Sequence, residues 1–100
     1  MYKRQVFAIL GFDTVEEAIA IANQSSYGLS GGILTHDMKV AFQVAKSVDT
    51  GAMVIGGHGS YRSIYQPFGG HKQSGLGVEG ISETLKEFTK IKTIFLRDVL

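Results

Sequence analysis

The chain has 100 residues, 44% of them apolar and 19% charged, with a formal net charge of +1 and no cysteine. That length holds one domain at most, and the composition is globular, not disordered. It excludes a disulfide scaffold, a thiolate metal site and a cysteine nucleophile. No basic stripe suits nucleic acid, no apolar run of about 18 residues suits a membrane, and the balance fits a cytoplasmic protein.

Met1 to Gln5 carries the charge of a signal peptide's start, but the apolar run after it, Val6 to Leu10, is too short for an h-region. That run, closed by Gly11, predicts a strand buried on both faces. Thr14 and Glu17 form the S/T-x-x-E pattern of a capping box, and Val15, Ala18, Ile19, Ile21 and Ala22 supply a helical stripe. Tyr27 to Gly32 is glycine-rich, and Ile33 to Thr35 predicts a second strand. Asp37 caps a second helix over Met38 to Val48, where Val40, Ala41, Val44, Ala45 and Val48 recur at helical spacing. Ala52 to Ile55 predicts a third strand after Gly51. A glycine-rich segment, Gly56 to Gly80, leads to a third helix near Ser82 to Thr89 with Leu85 and Phe88 as its contacts. Lys92 to Val99 closes as a strand. The fold class is therefore α/β: a parallel strand-helix-strand-helix-strand unit, a glycine-rich loop, a third helix and a C-terminal strand.

Three local patterns invite chemistry. Gly75-Leu76-Gly77-Val78-Glu79-Gly80 is a literal G-x-G-x-x-G, with Asp98 further along. The dinucleotide fingerprint needs a buried strand just before its first glycine. Gly70 to Ser74 will not make one, so the glycines read first as structural turns. Gly28-Leu29-Ser30-Gly31-Gly32 is a literal G-x-S-x-G, but helix precedes it and strand follows, the reverse of a nucleophile elbow. His36, His58 and His71 match no metal-ligand spacing. Tyr61, Tyr65 and Phe68 cluster in the loop, where aromatics either line an apolar ligand pocket or anchor the loop to the core.

Longer stretches carry a resemblance. Gly11 to Ile19 is similar to the helix start after an F-G-P-V strand. Ala22-Asn23 with Tyr27-Gly28-Leu29-Ser30 is similar to A-N-x-x-x-Y-G-L-S/A, and Thr50-Gly51 to the start of A-G-x-V-x-x-N. Glu87 to Ile94 is similar to E-Y/F-T-x-x-K-x-x. Pro67-Phe68-Gly69-Gly70-His71-Lys72-Gln73-Ser74-Gly75 matches P-F-G-G-x-K-x-S-G, the most specific of the set. Together they resemble the C-terminal portion of the NAD(P)-dependent aldehyde dehydrogenase superfamily.

The resemblance implies a parent that oxidises a small aldehyde to a carboxylic acid with NAD or NADP. A thiolate attacks the aldehyde, and an activated water hydrolyses the resulting thioester. The cysteine is not in this sequence. The family's E-x-F-G-P-V segment would put its glutamate and phenylalanine on Met1 and Lys3, which do not match. Residues 1–5 then read as a foreign or truncated leader, 6–91 as the C-terminal part of the catalytic domain and 92–100 as an oligomerisation strand. Phe68 takes the position of the phenylalanine that lines the family's substrate tunnel, and Tyr61 and Tyr65 lie in the variable loop beside it. No residue is assigned to catalysis, metal or cofactor, and no cofactor is expected on this chain itself. Self-association is expected through Lys92 to Val99. The alternative reading is a self-associating structural module without catalysis.

Overall fold

The computed structural model describes residues 6–98. The leader expected at 1–5, and Val99 of the expected terminal strand, lie outside the described residues. Helix α1 spans Val15–Asn23. Thr14 caps it by accepting from the Glu17 N–H at 3.1 Å. Glu17 reaches back to accept from the Asp13 N–H at 2.8 Å, one residue earlier than a capping box prescribes. Strands β1, Tyr27–Gly28, and β2, Ser30–Ile33, follow. Helix α2 spans Met38–Ser47, and Asp37 Oδ1 accepts from the N–H groups of Lys39 and Val40 at 2.8 and 3.2 Å. Strand β3 is Ala52–Ile55, β4 is His71–Lys72 and helix α3 is Ile81–Glu87.

β2 and β3 pair in parallel, with Ser30 opposite Ala52 and Ile33 opposite Ile55. α2 is the crossover between them, so the central β-α-β unit is as the spacing predicts. β2 lies three residues earlier than the apolar run alone suggests, because its register is set by β3 and not by its own side chains. β1 pairs with β4 antiparallel, Tyr27 opposite Lys72 and Gly28 opposite His71. That two-residue ladder joins segments more than forty positions apart, and no local pattern announces it.

Two expected strands are not strands among the described residues. Val6 to Leu10 and Ile91 to Arg97 hold no regular structure. Val6 and Ile9 are 91% and 92% exposed. Apolar composition makes a segment fit to be a strand, but backbone N–H and C=O groups need a second strand beside them, and no such strand pairs with either run here. Leu85 on α3 and Phe88 just after it, expected as the helix's apolar contacts, are largely exposed. The outcome is an extended molecule, 73 × 40 × 22 Å with a radius of gyration of 19.6 Å, against about 13 Å for a compact 100-residue domain. Ala41 on α2 is the one fully buried apolar residue among those described.

Candidate functional site

The Pro67 to Gly75 turn packs on the rest of the chain mainly through polar groups. Lys72 has φ of +54°, a left-handed conformation that a non-glycine residue adopts at a cost of about 1 kcal/mol. Its side chain offsets that cost. The ammonium donates to the carbonyl oxygens of Asn23 at 3.2 Å and Ser25 at 3.0 Å, at the C-terminal end of α1. A cation there also meets the negative end of the helix dipole. Asn23 in turn donates through Nδ2 to the Ser47 carbonyl at 2.8 Å and accepts the Asp49 N–H at 2.8 Å, which ties α1 to the end of α2. Asp49 Oδ1 lies 2.7 Å from His71 Nδ1. Gln73 donates its N–H to the Ser26 carbonyl, and Ser74 Oγ accepts the Gly28 N–H at 2.9 Å.

Gly51 completes this clasp by having no side chain. Its N–H donates to the Gly28 carbonyl at 3.0 Å. A Cβ on it would collide with the Gly69 carbonyl oxygen. The start of β3 and the Phe68-Gly69-Gly70 backbone therefore touch main chain to main chain.

Phe68 is held by a two-bond antiparallel bridge. Its N–H donates to the Glu79 carbonyl at 2.7 Å, and the Glu79 N–H donates back at 2.6 Å. The half-buried Phe68 ring borders an open cleft of about 230 Å³ formed with Gly69, Gly70, Leu76, Val78 and Glu79. The Arg62 guanidinium carbon lies 4.1 Å from the centre of that ring. Arg62 Nη2 also donates to Glu79 Oε2 at 3.2 Å. The other two aromatics do not join this cleft. Tyr65 is 84% exposed and borders a separate hollow of about 210 Å³ with Pro67, Gly80 and Ile81. Tyr61 stands in solvent. Of the three aromatics singled out in the sequence, Phe68 alone borders this cleft; Arg62, Glu79, Asn23 and Lys72 make contacts that the sequence reading did not single out. Asn23 and Lys72 sit inside the two most specific motifs and could have been paired from them; nothing marks Arg62.

The G-x-G-x-x-G stretch does not form a dinucleotide cradle. Gly75, Gly77 and Gly80 all have positive φ, as tight turns require. The segment before them is the β4 ladder and a turn, not a core strand, and α3 after them has seven residues. A cleft of about 230 Å³ is also too small for a dinucleotide. Among the described residues, no three His, Asp or Glu side chains gather as a metal site, and no helix is long and apolar enough to cross a membrane.

The aldehyde dehydrogenase family model matches residues 5–94. The chain belongs to the aldehyde dehydrogenase family. Among its relatives, the lactaldehyde dehydrogenase of Methanococcus maripaludis strain C5 is 42% identical over 94 residues, which is 94% of this chain and 20% of that protein. The NAD+ complex of an aldehyde dehydrogenase from Bacillus cereus superposes with a TM-score of 0.80 at 39% identity, covering 89% of this chain and 18% of that one. Aldehyde dehydrogenase 21 from Physcomitrella patens, solved with the reaction product succinate, gives a TM-score of 0.80 at 30% identity, covering 88% and 18%. The chain thus spans about one fifth of the length of these aldehyde dehydrogenases. Their α/β architecture is the one described above.

Proposed function

We propose that this chain is the C-terminal part of an NAD(P)-dependent aldehyde dehydrogenase, and that the parent oxidises a small aldehyde to a carboxylic acid. The observation that carries the reading is the family match over residues 5–94, joined to a chain of one fifth the relatives' length that contains no cysteine. Within the parent, this segment supplies one wall of the substrate path through Phe68, with Tyr61 and Tyr65 as outer-loop contributors. The hydrogen-bonded clasp around Lys72 and Asn23 supports that role, because it fixes the turn from which Phe68 projects. The parent uses NAD or NADP, which relatives solved with NAD+ and with NADP support; in this reading the cofactor is held by other parts of it. A cytoplasmic location belongs to the same reading.

The 100 residues alone carry no dehydrogenase activity in this reading. A panel of aldehydes with NAD+ and NADP+ tests it by absorbance of the reduced cofactor. Turnover above a buffer control would sink the assignment of chemistry to other parts of the parent.

A second reading, a self-associating module, has its own observation. Val6, Phe7, Ile9, Phe95 and Leu96 are all more than three-quarters exposed, and such runs are prone to pair with another chain. The segment Lys92 to Val99 is the proposed contact. Light scattering across a concentration series tests it; a monomer throughout counts against it.

A further inference from the structure

We propose that the free edge of β2 binds the Val6 to Leu10 run of a second copy of this chain, so that two copies exchange these runs as added parallel strands. The inference rests on the reading that copies associate, and it names a contact other than Lys92 to Val99. β2 pairs with β3 along one edge, and among the described residues no strand lies beside its other edge. An apolar groove of about 510 Å³ follows that edge, bordered by five consecutive residues, Gly31 to Thr35. Neighbouring residues of a strand point to opposite faces, so a groove that touches all five runs along the edge and not over one face. Val15, Ala18 and Ala22 of α1 border the same groove. No residue of α1 is buried, although the helix packs on α2, so its apolar stripe has room for a strand. Gly32 and Leu34, two positions apart and hence on one face, also border a hollow beside Gly57 and Gly59.

The run Val6 to Leu10 fits this edge in length and chemistry. It has five residues, all apolar, so both of its faces suit an uncharged groove. Its place before α1 and β2 repeats the order β2, α2, β3, the order that gives a parallel pair. In its own chain the run stands clear: Val6, Phe7 and Ile9 are all more than four-fifths exposed. The bonds of Thr14 and Glu17 hold the backbone only from Asp13 onward. Gly11 has nothing within 4 Å of the place a Cβ would take, which leaves Gly11 and Phe12 as a short hinge. A short hinge favours exchange, because two copies make the same strand contacts without folding the hinge back within one chain.

The test mixes two populations of the full chain. One carries Gly11→Cys with a nitroxide spin label, a single attachment site because the sequence has no other cysteine. The other is isotope-labelled, carries no nitroxide and is observed by NMR, so any paramagnetic loss of signal arises between copies. Loss of the Leu34 and Thr35 amide signals is expected, since a parallel strand brings the label to that end of β2. Ile9→Lys in the spin-labelled chain should restore those signals. So should Leu34→Lys in the observed chain, at a side chain 80% exposed whose change leaves the fold intact. Phe95→Lys should leave the losses in place. No loss between copies, loss confined to chains that carry both labels, or loss that survives Ile9→Lys overturns the proposal. Light scattering separates the two readings: a mass that rises with concentration without these losses keeps self-association and overturns the exchange, whereas a monomer throughout overturns both.

Discussion

The clasp around Pro67 to Gly75 and the apolar surfaces around it are built by opposite rules. The clasp is closed. Asn23 bonds to Ser47 and Asp49, Lys72 to Asn23 and Ser25, Gln73 to Ser26 and Ser74 to Gly28, which ties α1, α2, β1 and β4 together with directional bonds. The apolar surfaces are open. A groove of about 510 Å³ runs between α1, α2, β2 and β3, lined by Val15, Ala18, Ile33, Val40, Val44 and Met53. A hydrogen bond needs one partner, and a segment of 100 residues can bring that partner in. A hydrophobic face needs a whole second layer, and the described residues do not supply it. The most specific sequence motif is therefore the most densely hydrogen-bonded joint of the segment, while much of its apolar content is exposed.

Breaking the clasp should cost the most. Gly51→Val puts a branched side chain into the Gly69 carbonyl, where neither backbone can yield without opening β3 or the turn. We expect a loss of about 3 kcal/mol in urea titration, together with faster amide exchange at position 51 and at Gln73. Lys72→Met removes both bonds to the end of α1, from a side chain only 22% exposed. A loss of about 1–2 kcal/mol is expected, with Lys72→Arg recovering part of it; no change would mean that the ammonium does not hold the turn. Asp37→Ala removes the cap of α2, which lies outside the clasp. It should cost about 1 kcal/mol and leave Gln73 exchange unaltered, which distinguishes a local loss from a loss of the joint.

What could be read from the sequence follows the same division. The caps Thr14 and Asp37 act within three residues of themselves, so the local pattern suffices to find them. β3 appears with the expected bounds because Gly51 and the apolar run define it locally. The pairing of β1 with β4, and the reach of Lys72 to Asn23, join positions 43 to 49 residues apart, and nothing periodic encodes such a meeting. Arg62 was invisible because a cation over a ring six positions away in a loop leaves no pattern. Val6 to Leu10 reads as a strand from its short apolar run and closing Gly11, and Lys92 to Val99 from an imperfect alternation. Among the described residues they lack the neighbour that would make them so, since pairing is a property of two segments and not of one.

The smallest stability effect is expected where the apolar surface is most open, and that makes it the sharpest contrast. Ile9 is 92% exposed, so Ile9→Lys removes no packing within the chain. Its effect on urea unfolding should stay below about 0.5 kcal/mol, far less than the same measurement gives for Gly51→Val. The association state should respond instead. If the extended apolar runs pair between copies, a charge in the middle of one opposes that pairing as edge lysines do in sheets, and the mass seen by light scattering should fall toward that of a single chain. A substitution that costs stability in proportion to protein concentration would reveal that Ile9 is packed inside an assembly. One that changes neither quantity would leave Lys92 to Val99 as the segment through which copies meet, and the equivalent charge at Phe95 would then decide between them.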